Sequence, residues 1–93
     1  MKFKIPKIIN VFGVKYKVKF VETTLFCGLC DPDLKMIFIN IDQSDDQIRA
    51  TFWHEVFHAM QFALGMNNAI SREMMEMLAE NSATIVCQVL NQK

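Results

Sequence analysis

Ser44 to Gly65, SDDQIRATFWHEVFHAMQFALG, is the stretch around which the rest of the chain is organised. It opens with a hydroxyl N-cap, Ser44, followed by two acids in the first turn and Gln47 at the capping-box position, which is how a helix start is written. Ile48, Thr51, Phe52, Val56, Phe57, Ala59, Met60, Ala63 and Leu64 then recur at helical spacing, and Gly65 followed by Asn67-Asn68 stops the run. The spacing predicts a helix from Asp45 to about Leu64. In its middle lies HExxH, as His54-Glu55-Val56-Phe57-His58. Residues four apart share a helix face with Cβ atoms roughly 5 to 6 Å apart, so two imidazoles at this spacing are able to share one ion.

Upstream, Lys7 to Phe12 reads as a strand, Gly13 as a break and Val14 to Thr23 as an alternating strand rich in Val, Phe and Tyr. Cys27-Gly28-Leu29-Cys30 leads into the turn composition Asp31-Pro32-Asp33-Leu34, and Met36 to Ile41 follows as a nearly all-apolar strand that should be covered on both faces. Downstream, a second helix should run from Ser71 to about Asn91. Met74, Met75, Leu78, Ser82, Ile85, Val86 and Val89 form its core-facing stripe. The predicted fold is α+β, a three-stranded sheet followed by an active-site helix and a glutamate-bearing helix, in a single domain over residues 1–93.

With 52% hydrophobic and 22% charged residues over 93 positions, the chain has the composition of a folded domain. A chain of this length buries roughly 60 to 65 per cent of its unfolded surface. No apolar run reaches the roughly 18 residues of a membrane span. No secretory signal is legible either, so a cytoplasmic location is expected, with no membrane partner. Ten basic and ten acidic residues cancel overall, yet Lys2, Lys4, Lys7, Lys15, Lys17 and Lys19 precede every acid. Lys15, Lys17 and Lys19 alternate with Tyr16, Val18 and Phe20, the pattern of a solvated strand face, and no nucleic-acid partner is expected. Cys27, Cys30 and Cys87 are odd in number and do not make a disulfide framework.

His54 and His58 are the only histidines, flanked by the apolar Phe52, Trp53, Val56, Phe57 and Met60, where unpaired imidazoles would be costly. Glu55 points about 100° around the axis from His54, suited to a general base rather than to a ligand. A catalytic zinc needs a third protein ligand and an open position. The metzincin extension would fall at Gln61 and Leu64 and is absent, which leaves Glu73, Glu76, Glu80 and Cys87 as candidates, all on the second helix. On a helical wheel Glu76 lies at the margin of the apolar stripe beside Ala79, Ala83 and Cys87, which favours it over Glu80, with Glu73 third. Glu80, one turn on, would hydrogen-bond a ligand histidine. A mixed site of Cys27, Cys30 and the two histidines competes, but it would close the open position.

HEVFH followed by Glu76-Met77-Leu78-Ala79-Glu80 resembles the gluzincin metallopeptidases, whose pattern is HExxH and a later ExxxD. Glu80 stands where that family has Asp. The whole chain, from the strand hairpin through TFWHEVFHAMQFALG to LAENSATIVCQVL, is similar to minimal gluzincins and to small phage or prophage proteins of the ImmA/IrrE peptidase type. The resemblance implies a zinc-dependent peptidase acting on a protein or peptide substrate. His54, His58 and Glu76 would bind Zn2+, and Glu55 would serve as the base. It also implies an extended substrate pairing with the strand Met36 to Ile41. The alternative is a phage-type regulatory or binding protein in which the metal is purely structural.

Overall fold

Two consecutive left-handed residues, Phe12 at φ 50° and Gly13 at φ 85°, close the first hairpin. A two-residue loop with positive φ at both positions matches the right-handed twist of the strands it joins, and Gly13 meets that requirement without strain. The Asn10 Oδ1 accepts a hydrogen bond from the Gly13 N–H at 2.7 Å, fixing the turn. A computed structural model describes residues 4–91; Lys2 of the basic N-terminal segment lies outside them.

Within the described residues the hairpin strands are β1, Ile8–Val11, and β2, Val14–Val21. Two more strands follow, β3, Gly28–Asp31, and β4, Met36–Asn40. The sheet is therefore four-stranded and mixed rather than three-stranded, in the order β1-β2-β4-β3. The strand missing from the sequence reading is β3. Four residues containing a glycine and a cysteine carry too little alternation to be seen, and β3 exists because β4 pairs with it antiparallel, Gly28 against Ile39 and Asp31 against Met36. The Asp31 carboxylate shapes the turn between them by accepting from the N–H groups of Asp33 and Leu34, each at 3.0 Å.

β4 is central, parallel to β2 on one side and antiparallel to β3 on the other. Ile37 and Ile39 are fully buried on one face, whereas Met36 and Phe38 on the other are only half-buried. The expectation that both faces of this strand are covered fails because the helices lie on one side only. Lys15, Lys17 and Lys19 occupy the open face, exposed as their alternation requires, while Tyr16 is buried in the core.

α1, Asp45–Ala63, lies across the buried face, with Phe52 and Ala59 set among Val11, Tyr16, Ile37 and Ile39. Its N-cap is as read: the Ser44 side chain accepts from the Gln47 N–H at 3.2 Å. Gly65, at φ 71°, ends the run, and a 3₁₀ turn at Met66–Asn68 leads to α2, Arg72–Asn91. α2 packs chiefly against α1, through Met75, Ala79 and Ala83, three residues one turn apart. Here the sequence reading is corrected. The buried stripe is centred on Ala79 rather than Leu78, so Met74, Leu78, Ile85 and Val89 are exposed. Small alanines let two helices approach closely, and that close approach outweighs the larger side chains nearby. Among the described residues no helix is long and apolar enough to cross a membrane.

Candidate metal centre

The rotation of α2 onto its alanine stripe brings Glu76 and Glu80 alongside His54 and His58. The two Nε2 atoms lie 3.1 Å apart. The Glu76 carboxylate spans them, Oε2 at 3.2 Å from His54 Nε2 and Oε1 at 2.9 Å from His58 Nε2. Among the described residues these three form the one His/Cys/Asp/Glu cluster with metal-ligand spacing, one atom from each lying within 4.8 Å of the others. Ligands around a tetrahedral zinc with bonds near 2.0 to 2.1 Å sit roughly 3.3 Å apart, so the donor set fits such an ion with little movement.

The far sides of both rings are also occupied. His54 Nδ1 meets the Glu80 Oε2 at 2.9 Å, and His58 Nδ1 meets the Gln61 Oε1 at 2.8 Å. The orientation of the Gln61 amide is set by its own donor, which reaches the Met75 carbonyl at 2.9 Å. A carboxylate and an amide oxygen only accept, so both Nδ1 atoms carry the proton. Each ring then turns its Nε2 toward the other ring and toward the Glu76 carboxylate. Three atoms able to offer a lone pair converge on one point, which a shared proton or a metal cation can occupy. The chemistry of the donor set thus fits a divalent metal, with Glu80 and Gln61 holding the ligands in their metal-binding tautomer.

Glu55 is not one of the three clustered donors, though it lines a groove with them. It is buried, and its neighbour across the fold is the edge strand. A Cβ built on Gly28 would overlap the Thr51 Cγ2 and lie 3.0 Å from both the Glu55 Cγ and Oε2. The missing side chain at Gly28 is what lets β3 settle this close to α1. Burial pushes the Glu55 carboxyl up to about 7; His54 pulls it down and the charge of Glu76 adds to the rise.

An open groove of about 830 Å³ runs over these residues. Its floor is α1 at Thr51, His54, Glu55 and His58; Glu76 and Glu80 form one wall, and Cys27, Gly28 and Leu29 the other. The expectation that Met36 to Ile41 offers a free backbone edge is overturned, since β4 is paired on both sides. The free edge beside the groove belongs to β3.

The remaining candidates stand apart. Glu73 and Cys87 take no part in the cluster. Cys27 is exposed on the groove wall, whereas Cys30 faces the core, where burial pushes its thiol up to about 12, helped by the charges of Glu55 and Asp31. The mixed cysteine-histidine site is not formed. Two contributors escaped the sequence reading, Gln61 and Gly28. The one signal for Gln61 was an amide at i+3 from His58 in an otherwise apolar turn, Ala59-Met60-Gln61-Phe62.

No family model, no curated protein and no solved structure matches the chain.

Proposed function

We propose that this protein is a zinc-dependent peptidase of gluzincin type, with Zn2+ held by His54, His58 and Glu76. The observation that carries the reading is the convergence of two imidazole nitrogens and a carboxylate beneath an open groove, with a buried carboxyl of near-neutral pKa beside them. Two imidazoles and a carboxylate suit zinc among the common divalent ions. When bound, the ion supplies Lewis-acid polarisation of a carbonyl and makes water more acidic.

The chain's own residues do the rest. Glu55 removes a proton from the attacking water as oxygen bonds to the peptide carbon, and returns it to the departing amine as the C–N bond breaks. A carboxyl near pH 7 is matched to both transfers. Glu80 and Gln61 keep the Nδ1 protons in place throughout. The free edge of β3 offers main-chain groups to an extended peptide, laying its backbone along the groove over Glu55 and the two histidines. The free thiols Cys27, Cys30 and Cys87 suit a reducing, cytoplasmic setting.

The test combines metal analysis with hydrolysis of a fluorogenic peptide library. The expected result is one zinc per chain, with cleavage abolished in Glu55→Gln while the zinc is retained. Absence of stoichiometric metal from metal-replete protein would refute the reading. Retention of full cleavage by Glu55→Gln would remove its mechanism, and zinc without any cleavage would favour a structural ion.

A further inference from the structure

α2 has three sides, and two of them are accounted for. At 100° per residue, Met75, Ala79 and Ala83 lie on the side facing α1, while Glu76 and Glu80 lie on the groove side. The third side carries Met74, Met77, Leu78, Ile85 and Val89, each between 39% and 60% exposed. Its centre is about 180° around the helix from Glu76. A fully exposed side chain of this size presents somewhat under 200 Å², so the five leave roughly 450 Å² of apolar surface, within the range of the largest patch on an ordinary monomer, which is often functional.

The face is free of charge and matches itself. From Asn81 to Asn91 the chain has no charged residue, so two copies meet without repulsion. A two-fold axis midway between Asn81 and Ser82, with the helices antiparallel, sets Met74 against Val89 and Leu78 against Ile85. Each pairing occurs twice, as an isologous interface requires. At the crossing point lie Asn81 and Ser82, short polar side chains that allow close approach and hydrogen-bond across the axis. Two such faces remove about 900 Å² of apolar surface, close to the roughly 1,000 Å² from which specific interfaces begin.

We infer that a second copy of this chain is the occupant: the protein forms a two-fold dimer through antiparallel α2 helices, with the metal grooves opening on opposite, outward sides. The dimer sits at the small end of specific interfaces, with a dissociation constant on the order of micromolar. It stands or falls independently of the peptidase reading.

Sedimentation equilibrium of the metal-loaded protein, with helicity followed by circular dichroism, tests it. The wild type should be dimeric at high concentration and dissociate on dilution. Leu78→Lys and Ile85→Glu should each be monomeric with unchanged helicity, since both positions are at the surface. An equimolar mixture of the two variants should regain the dimer, because antiparallel packing places the new lysine of one copy against the new glutamate of the other and restores an Ile–Leu contact on the other side. A wild type that stays monomeric throughout would overturn the proposal. So would an Ile85→Glu variant that dimerises as the wild type does, or a mixture that stays monomeric.

Discussion

In metal-free protein, replacing Glu55 by glutamine should stabilise the fold, increasingly so as pH rises. The carboxyl is buried, and its pKa climbs from the ordinary 4.5 to about 7, chiefly through loss of water. Between those two values the folded chain keeps a proton that the unfolded chain has released, so stability falls as pH rises through the window and stays low above it. At about 1.4 kcal/mol per tenfold, the full rise costs about 3 kcal/mol above pH 8 and under 1 kcal/mol at pH 5. Glutamine fills nearly the same volume and carries no charge to desolvate. Its buried amide costs about 1 kcal/mol, but that cost does not change with pH. The gain of Glu55→Gln over wild type should therefore grow by about 2.5 kcal/mol between pH 5 and pH 8.5. Urea unfolding in the presence of chelator, followed by circular dichroism at the two pH values, measures this difference, in which titrating groups that do not interact with Glu55 cancel. An advantage that does not change with pH, or a wild type more stable at pH 8.5, would show that Glu55 bears no burial cost in the fold.

Gly28→Ala should destabilise the fold by about 1 to 3 kcal/mol, because its Cβ overlaps the Thr51 Cγ2. Adding Thr51→Ser, which removes that methyl and keeps the hydroxyl that meets Gln43, should recover part of the loss in thermal unfolding; no recovery would place the strain elsewhere. In competitive chelation, Glu76→Gln should lose the zinc, and Glu80→Gln should weaken it about 10- to 100-fold through His54. The reverse order would exchange the two roles. With a thiol near 12, only about one Cys30 in 10⁴ is thiolate at pH 8, so iodoacetamide should modify exposed Cys27 first and reach Cys30 after denaturation. Equal rates in the native protein would mean that Cys30 is not buried.

What could be read from the sequence was what one helix dictates on its own. Ser44 and Gln47 cap α1, Gly65 ends it, and His54 and His58 share a face, all through contacts within four residues. Glu76 meets the histidines only because α2 turns onto Ala79: it lies about 60° around the axis from Ala79 but about 160° from Leu78, so the stripe expected from the sequence would have turned it away from α1. Strand β3 and the orientation of α2 were not legible, because each is decided by a partner distant in sequence. Gly28–Asp31 is a strand only against β4, and Met75, Ala79 and Ala83 are a buried stripe only because α1 lies close. Hydrophobicity favoured the larger Leu78 and Ile85, while the fold buried the residues that permit the closer approach.

Titratable side chains of the groove converge at one place. A buried carboxyl raised to about 7, two imidazole nitrogens 3.1 Å apart and the two carboxylates that meet those rings all lie between α1, α2 and the edge of β3. Burial of the Glu55 carboxyl opposes folding of the metal-free chain, and a divalent cation beside it would offset part of that cost. Such a site binds its ion with part of the energy that the apo fold lacks, so metal affinity and fold stability are two readings of one balance. Glu80 and Gln61 hold this arrangement without touching the ion. Loss of either lets its histidine turn or change tautomer, which would take a ligand from the ion. Variants there should therefore weaken metal binding by more than they destabilise the metal-free fold, whereas Gly28→Ala, which acts on packing alone, should do the opposite.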